Sequence, residues 1–142
     1  MTDQDEASKK SGIIHPTRVL SRKSLLPILY LAERMASSDN ETVRRETRVI
    51  EQIAKAANFE RYKDDPDYRR MTEDSAIAGV GSETSKMAAM VILTLVLKAD
   101  TQRKDEERGY FQKVRERLGA GPITVPVDFD AHMKLALEYV QT

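Results

Sequence analysis

Four acids carry the spacing that could do chemistry: Asp39 is followed seven residues later by Glu46, and Asp100 seven residues later by Glu107. Carboxylate oxygens are hard ligands, and a polar joint between helices adds backbone carbonyls, so these positions suit Ca²⁺, Mg²⁺ or Mn²⁺. Asp39, Glu46, Asp100 and Glu107 are therefore the candidate metal ligands. A competing reading needs no ion. A carboxylate just before a helix caps its free N–H groups, and a Glu in the first turn gains around 0.3 to 1 kcal/mol from the helix dipole. A third reading buries one of these acids between the two halves of the chain, as the acid or base of an enzyme or a small-ligand-binding bundle.

Other candidates fall away on spacing. An EF-hand loop needs about five oxygen ligands within twelve residues, a density absent here. His15 and His132 form no HExxH, and without cysteine a zinc site has no donor set. His132, in the last helix beside Met133, reads as a surface or half-buried structural residue. The segment AGVGSETSK (Ala78 to Lys86) has its glycines too close and its lysine misplaced for a P-loop, and a turn before a capped helix explains it. Arg44, Arg45 and Arg48 alternate with Glu41, Glu46 and Glu51, the pattern of a solvated, salt-bridged helix face.

The elements that must position the acids are helices. Leu25, Ile28, Leu29, Ala32, Met35 and Ala36 make one helical stripe, with Ser24 as N-cap and Pro27 in the first turn. After the joint Ser37 to Thr42, a second stripe of Val49, Ile50, Ile53, Ala54 and Ala57 stops at Asn58. Ser82 caps a helix, roughly Glu83 to Ala99, that is apolar on nearly every side and so must be surrounded. Beyond the joint Asp100 to Lys104, Tyr110, Phe111, Val114 and Leu118 lead to a stop at Gly119. The acids and the helix stops all recur at an offset of 61, which predicts two copies of one hairpin. Short helices are expected between the hairpins, and a last helix capped by Asp128 or Asp130 should bury Phe129, Met133, Ala136, Leu137 and Val140. The expected fold class is all-α, a bundle of two pseudo-repeated hairpins plus short connecting helices and a C-terminal helix.

Composition sets the bounds. The 142 residues suit one domain, expected over 15–142 behind a disordered polar tail at 1–14. The absence of cysteine fits a reducing compartment, and a tail without an apolar stretch fits the cytoplasm. With 23 basic and 23 acidic residues there is no overall field to draw the chain onto nucleic acid. The longest apolar run, Met87 to Leu97, is shorter than the roughly 20 residues a bilayer span needs.

The stretch ILTLVLKADTQRKDEERGYFQKVRERLG, Ile92 to Gly119, resembles the second half of tellurite-resistance TerB-like domains, and Pro27 to Asn58 resembles the first. In that family an apolar helix leads to Asp-Gly, a Glu follows seven after the Asp, and the next helix ends at Leu-Gly. Here Asn40 and Thr101 stand where the Gly usually follows, and a β-branched Thr takes a positive φ only under strain. The resemblance implies a non-enzymatic helical module with a pseudo-twofold axis, acting in a stress-linked or membrane-proximal assembly. It implies a protein partner, a second copy of the chain among the candidates, and a divalent cation as its only candidate cofactor. Asp39, Glu46, Asp100 and Glu107 are the positions that match the family pattern.

Overall fold

The computed structural model describes residues 13–37, 44–99 and 105–141. The first helix among these residues, α1 (Arg22–Ala36), starts earlier than expected, because Ser21 and not Ser24 is the N-cap. Ser21 Oγ accepts the Ser24 N–H at 3.2 Å, so Ser24 becomes the third helical residue. Pro27 therefore lies in the second turn, where its ring removes one bond from the helical ladder. That ring approaches Gly79 so closely that a Cβ there would lie 3.1 Å from Pro27 Cγ.

Six more α-helices follow among the described residues: α2 (Arg44–Ala56), α3 (Pro66–Arg69), α4 (Glu73–Gly79), α5 (Glu83–Ala99), α6 (Asp105–Leu118) and α7 (Phe129–Glu138). A single 3-10 turn, Tyr62–Asp64, precedes α3, and no strand occurs among the described residues. The expected all-α class is what forms. None of these helices is long and apolar enough to cross a membrane.

The helix α5 is central, as its apolar surface requires. It packs against α1, α2, α6 and α7 and buries residues all round, including Met90, Ile92, Leu93, Leu95 and Val96. Each fully buried side chain of this size contributes roughly 1.5 to 3 kcal/mol. The α1 stripe also packs as read, with Leu25, Ile28, Leu29, Ala32, Met35 and Ala36 all in the core.

The duplication is visible in bond patterns. Asn58 and Gly119 both take a positive φ, 56° and 67°. After α2, the Phe59 N–H reaches Ala54 O and the Asn58 N–H reaches Lys55 O, while after α6 the Ala120 N–H reaches Arg115 O and the Gly119 N–H reaches Glu116 O. These are two Schellman caps in matching register. The starts match as well, since Ser82 and Ser85 repeat Ser21 and Ser24 at the same offset, Ser82 Oγ accepting the Ser85 N–H at 3.1 Å.

The packing extends the repeat to a third helix. Both α2 and α6 pack on α1 and α5, each touching its own hairpin and the other. The helix after the first hairpin, α4, packs on α1 and α6, and the helix after the second, α7, packs on α5 and α2. Exchanging the hairpins carries one arrangement into the other, so the repeating unit is three helices.

Candidate functional site

The helix α2 buries Val49, Ile50, Ile53 and Ala54, which leaves Arg45, Arg48, Gln52 and Lys55 on an exposed flank. Facing that flank is α7, whose register differs from the sequence reading. Its core residues are His132, Leu135 and Ala136, joined by Tyr139 and Val140 just past its end. Phe129 is 36 % exposed, and Met133 and Leu137 are only half-buried. A buried histidine takes a core place that periodicity had given to hydrophobes, and this turns the Phe129, Met133, Leu137 row toward the surface.

Between the two helices runs a groove. One part, of about 770 Å³, lies among Arg45, Arg48, Val49, Lys98, Val127 and Phe129. A second, of about 600 Å³, continues it past the shared Gln52 to Lys55, Ala56, Met133 and Leu137. Val127, at the rim, is 94 % exposed.

The rim is held by a buried polar relay. Lys98 Nζ donates to Pro126 O at 2.7 Å and meets His132 Nδ1 at 3.0 Å. His132 Nε2 lies 2.9 Å from Val91 O. A lysine ammonium can only donate and a carbonyl can only accept, so the neutral tautomer with its proton on Nε2 satisfies both contacts. Burial lowers the His132 pKa from 6.5 to about 4, and the Lys98 charge acts in the same direction while the Val91 carbonyl opposes. The half-buried structural role expected for His132 becomes a fully buried one that ties α7 to α5 and, through Lys98, to the 125–127 connection.

Asp39 and Asp100, half of the candidate metal ligands, lie outside the described residues. Glu46 and Glu107 sit in the first turns of α2 and α6, as a capping role requires, but both are 0 % exposed. Neither lacks a partner. Their burial meets the geometric condition of the buried-carboxylate reading, and their equivalent places in the repeat give both one structural setting. Among the described residues no three His, Cys, Asp or Glu side chains come together to hold a metal ion. One carboxylate per joint is far below the six to eight oxygens that Ca²⁺ takes, so the described donors do not by themselves fit a cation.

The salt-bridged reading of the arginine cluster also changes. Glu46 is turned inward, and among the described residues Arg45, Arg48 and Lys55 enter no ion pair. The groove was missed in the sequence because its two signals lie more than 70 residues apart, a basic i, i+3 pair on α2 and an apolar i, i+4, i+8 row on α7.

No family model matches the chain, and neither a curated protein nor a solved structure matches it.

Proposed function

We propose that the protein is a non-enzymatic, TerB-like helical module of the cytoplasm that docks a partner protein in the groove between α2 and α7, in the stress-linked setting the resemblance implies. One observation carries this reading: among the described residues lining the groove there are four cations, Arg45, Arg48, Lys55 and Lys98, no carboxylate, and an open apolar wall. Solvated charged faces normally mix both signs, and a partly exposed apolar row beside Arg45, Arg48 and Lys55, which meet no carboxylate among the described residues, is the composition of a binding surface. The duplicated three-helix unit supports the family part of the proposal.

A photo-cross-linker in place of Gln52, at the middle of the groove, tests it in cells. A discrete adduct that disappears in an Arg45→Glu, Arg48→Glu variant of unchanged thermal stability is the expected result. An adduct indifferent to those charges removes the groove from the proposal.

The cation reading has one observation in its favour, the equivalent inward placement of Glu46 and Glu107. We propose it as a secondary property, with Asp39 and Asp100 supplying the remaining carboxylates. Calorimetric titration of Ca²⁺, Mg²⁺ and Mn²⁺ tests it, with Asp39→Asn and Asp100→Asn as controls. Heats that are absent below millimolar cation, or unchanged in both variants, end that reading.

A further inference from the structure

We infer that the occupant of the α2 and α7 groove is an amphipathic helix of a partner protein, acidic along one flank, with its apolar stripe laid on Phe129, Met133 and Leu137; this rests on the binding-module reading above. The shape comes first. On α2 the lining residues Arg45, Arg48, Val49, Gln52, Lys55 and Ala56 fall on one face. They span eleven helical steps of about 1.5 Å, roughly 16 Å, or three turns of a docked helix. Opposite them, Phe129, Met133 and Leu137 recur every four residues, the spacing that meets i, i+4 anchors on a second helix.

The charge gives the occupant its sign. The chain as a whole is neutral, with 23 basic and 23 acidic residues, so Arg45, Arg48 and Lys55, with no carboxylate among the described residues that line the groove, are a local bias. Arg45, Arg48 and Lys55 flank one side only, that of α2. The matching ligand carries Glu or Asp on one edge and apolar residues beside it. A nucleic acid or an anionic membrane would answer the cations, but neither gives three spaced apolar knobs for the α7 row.

The protein contains its own precedent. The repeat places α6 against α4 as it places α2 against α7. Shifted by the repeat offset of 61, the groove positions Val49, Gln52 and Ala56 become Tyr110, Lys113 and Arg117. There the site is closed from within: Lys113 Nζ and Arg117 Nη1 each lie 3.2 Å from Glu73 Oε2, and Arg117 Nη2 lies 2.6 Å from Asp74 Oδ1. Both carboxylates belong to the first turn of the helix α4. In the first copy the cations are set at 45, 48 and 55 instead, and α7 offers its apolar row while no acid among the described residues meets them. An incoming acidic helix would supply at α2 what α4 supplies at α6.

The test is an NMR titration of the ¹⁵N-labelled full chain with a capped, helix-stabilised peptide of about 15 residues, carrying leucines at i, i+4 and i+8 and glutamates on one flank. A second peptide replaces the glutamates with lysine, and a third scrambles the order. The expected result is saturable shifts confined to α2, α7 and 125–129 with the acidic peptide, and at least about tenfold weaker binding after Arg45→Glu with Arg48→Glu. Phe129→Ser, at an exposed position, should weaken it as well. Equal binding of the lysine or scrambled peptide overturns the inference. So does a groove that responds to phosphatidylglycerol vesicles or duplex DNA but not to the acidic peptide. If the Gln52 cross-link still reports a charge-dependent partner while the acidic helix fails to bind, this inference falls and the binding-module reading stands.

Discussion

The Lys98 ammonium lies 3.0 Å from Nδ1 of His132, and the same ammonium holds the carbonyl of Pro126 at 2.7 Å. A cation donating to an imidazole requires that imidazole to be neutral, so the groove rim depends on the protonation state of a residue in the core. Protonating Nδ1 would set two positive groups against each other and remove an acceptor from Lys98.

Acid should therefore weaken the fold in a defined window. The His132 pKa is lowered from 6.5 in the free residue to about 4 in the fold, first by burial. The unfolded chain then binds a proton that the folded chain refuses. The stabilisation from this group is fully present above about pH 6.5 and is lost as pH falls toward 4, to a total of up to about 3 kcal/mol. Urea midpoints across this range, compared with those of His132→Gln, isolate the contribution. A wild-type and variant pair with parallel pH profiles would contradict it.

The two Schellman caps give a conformational test of the duplication. Asn58 and Gly119 sit at φ 56° and 67° with equivalent hydrogen bonds around them. Gly119→Ala should cost about 1 to 2 kcal/mol, because the new Cβ meets the neighbouring carbonyl in the left-handed region, whereas Asn58→Ala, which keeps a Cβ already present, should cost less. Asn58→Gly should be neutral or slightly stabilising, since it brings the first copy to the residue the second already uses. Loss of stability in Asn58→Gly would mean that the asparagine side chain contributes more than its conformation.

Glu46 and Glu107 should behave alike. Both are fully buried in the first turn of the second helix of their copy, and both are partnered. Truncation to alanine strands those partners, so Glu46→Ala and Glu107→Ala should each cost about 1 to 3 kcal/mol, with glutamine recovering part of the loss. Thermal melts with and without excess Mn²⁺ separate structure from ion binding. A purely structural pair melts at the same temperature in both, and a rise with Mn²⁺ that is absent from the alanine variants assigns them to a cation.

Much of this architecture was legible because burial imposes a period. The α1 stripe, the all-round apolar α5 and the stops at Asn58 and Gly119 were each readable from residue type alone, since a helix buried on one side or on every side leaves a different pattern. The start of α1 was not, because Ser21 and Ser24 are equally good caps by composition, and only the repeated pair at Ser82 and Ser85 marks the earlier one. The face of α7 was misread for a different reason. His132 is polar by type but is buried once both ring nitrogens are satisfied, so counting hydrophobes rotated the helix by about a third of a turn. Glu46 and Glu107 were recognised as paired acids, but no sequence rule distinguishes a buried first-turn glutamate from an exposed one.

Arg117 joins α6 to α4 through Glu73 and Asp74, and its worth should be visible but small. The Glu73 carboxyl feels burial, which would raise its pKa, yet the nearby Tyr110 hydroxyl and the ion pairs with Lys113 and Arg117 hold it below the usual range. Its stabilisation is thus present above the unfolded carboxylate pKa and disappears as pH falls through the lower folded value. Asp74 is largely exposed and screened, so Arg117→Ala should cost about 0.2 to 1 kcal/mol at neutral pH, mainly through Glu73. The cost should shrink in high salt and vanish when Glu73 is replaced by Gln. Chemical denaturation of the single and double variants gives the coupling directly. A full loss from Arg117→Ala that persists beside Glu73→Gln would show that the arginine stem contributes more than its charge.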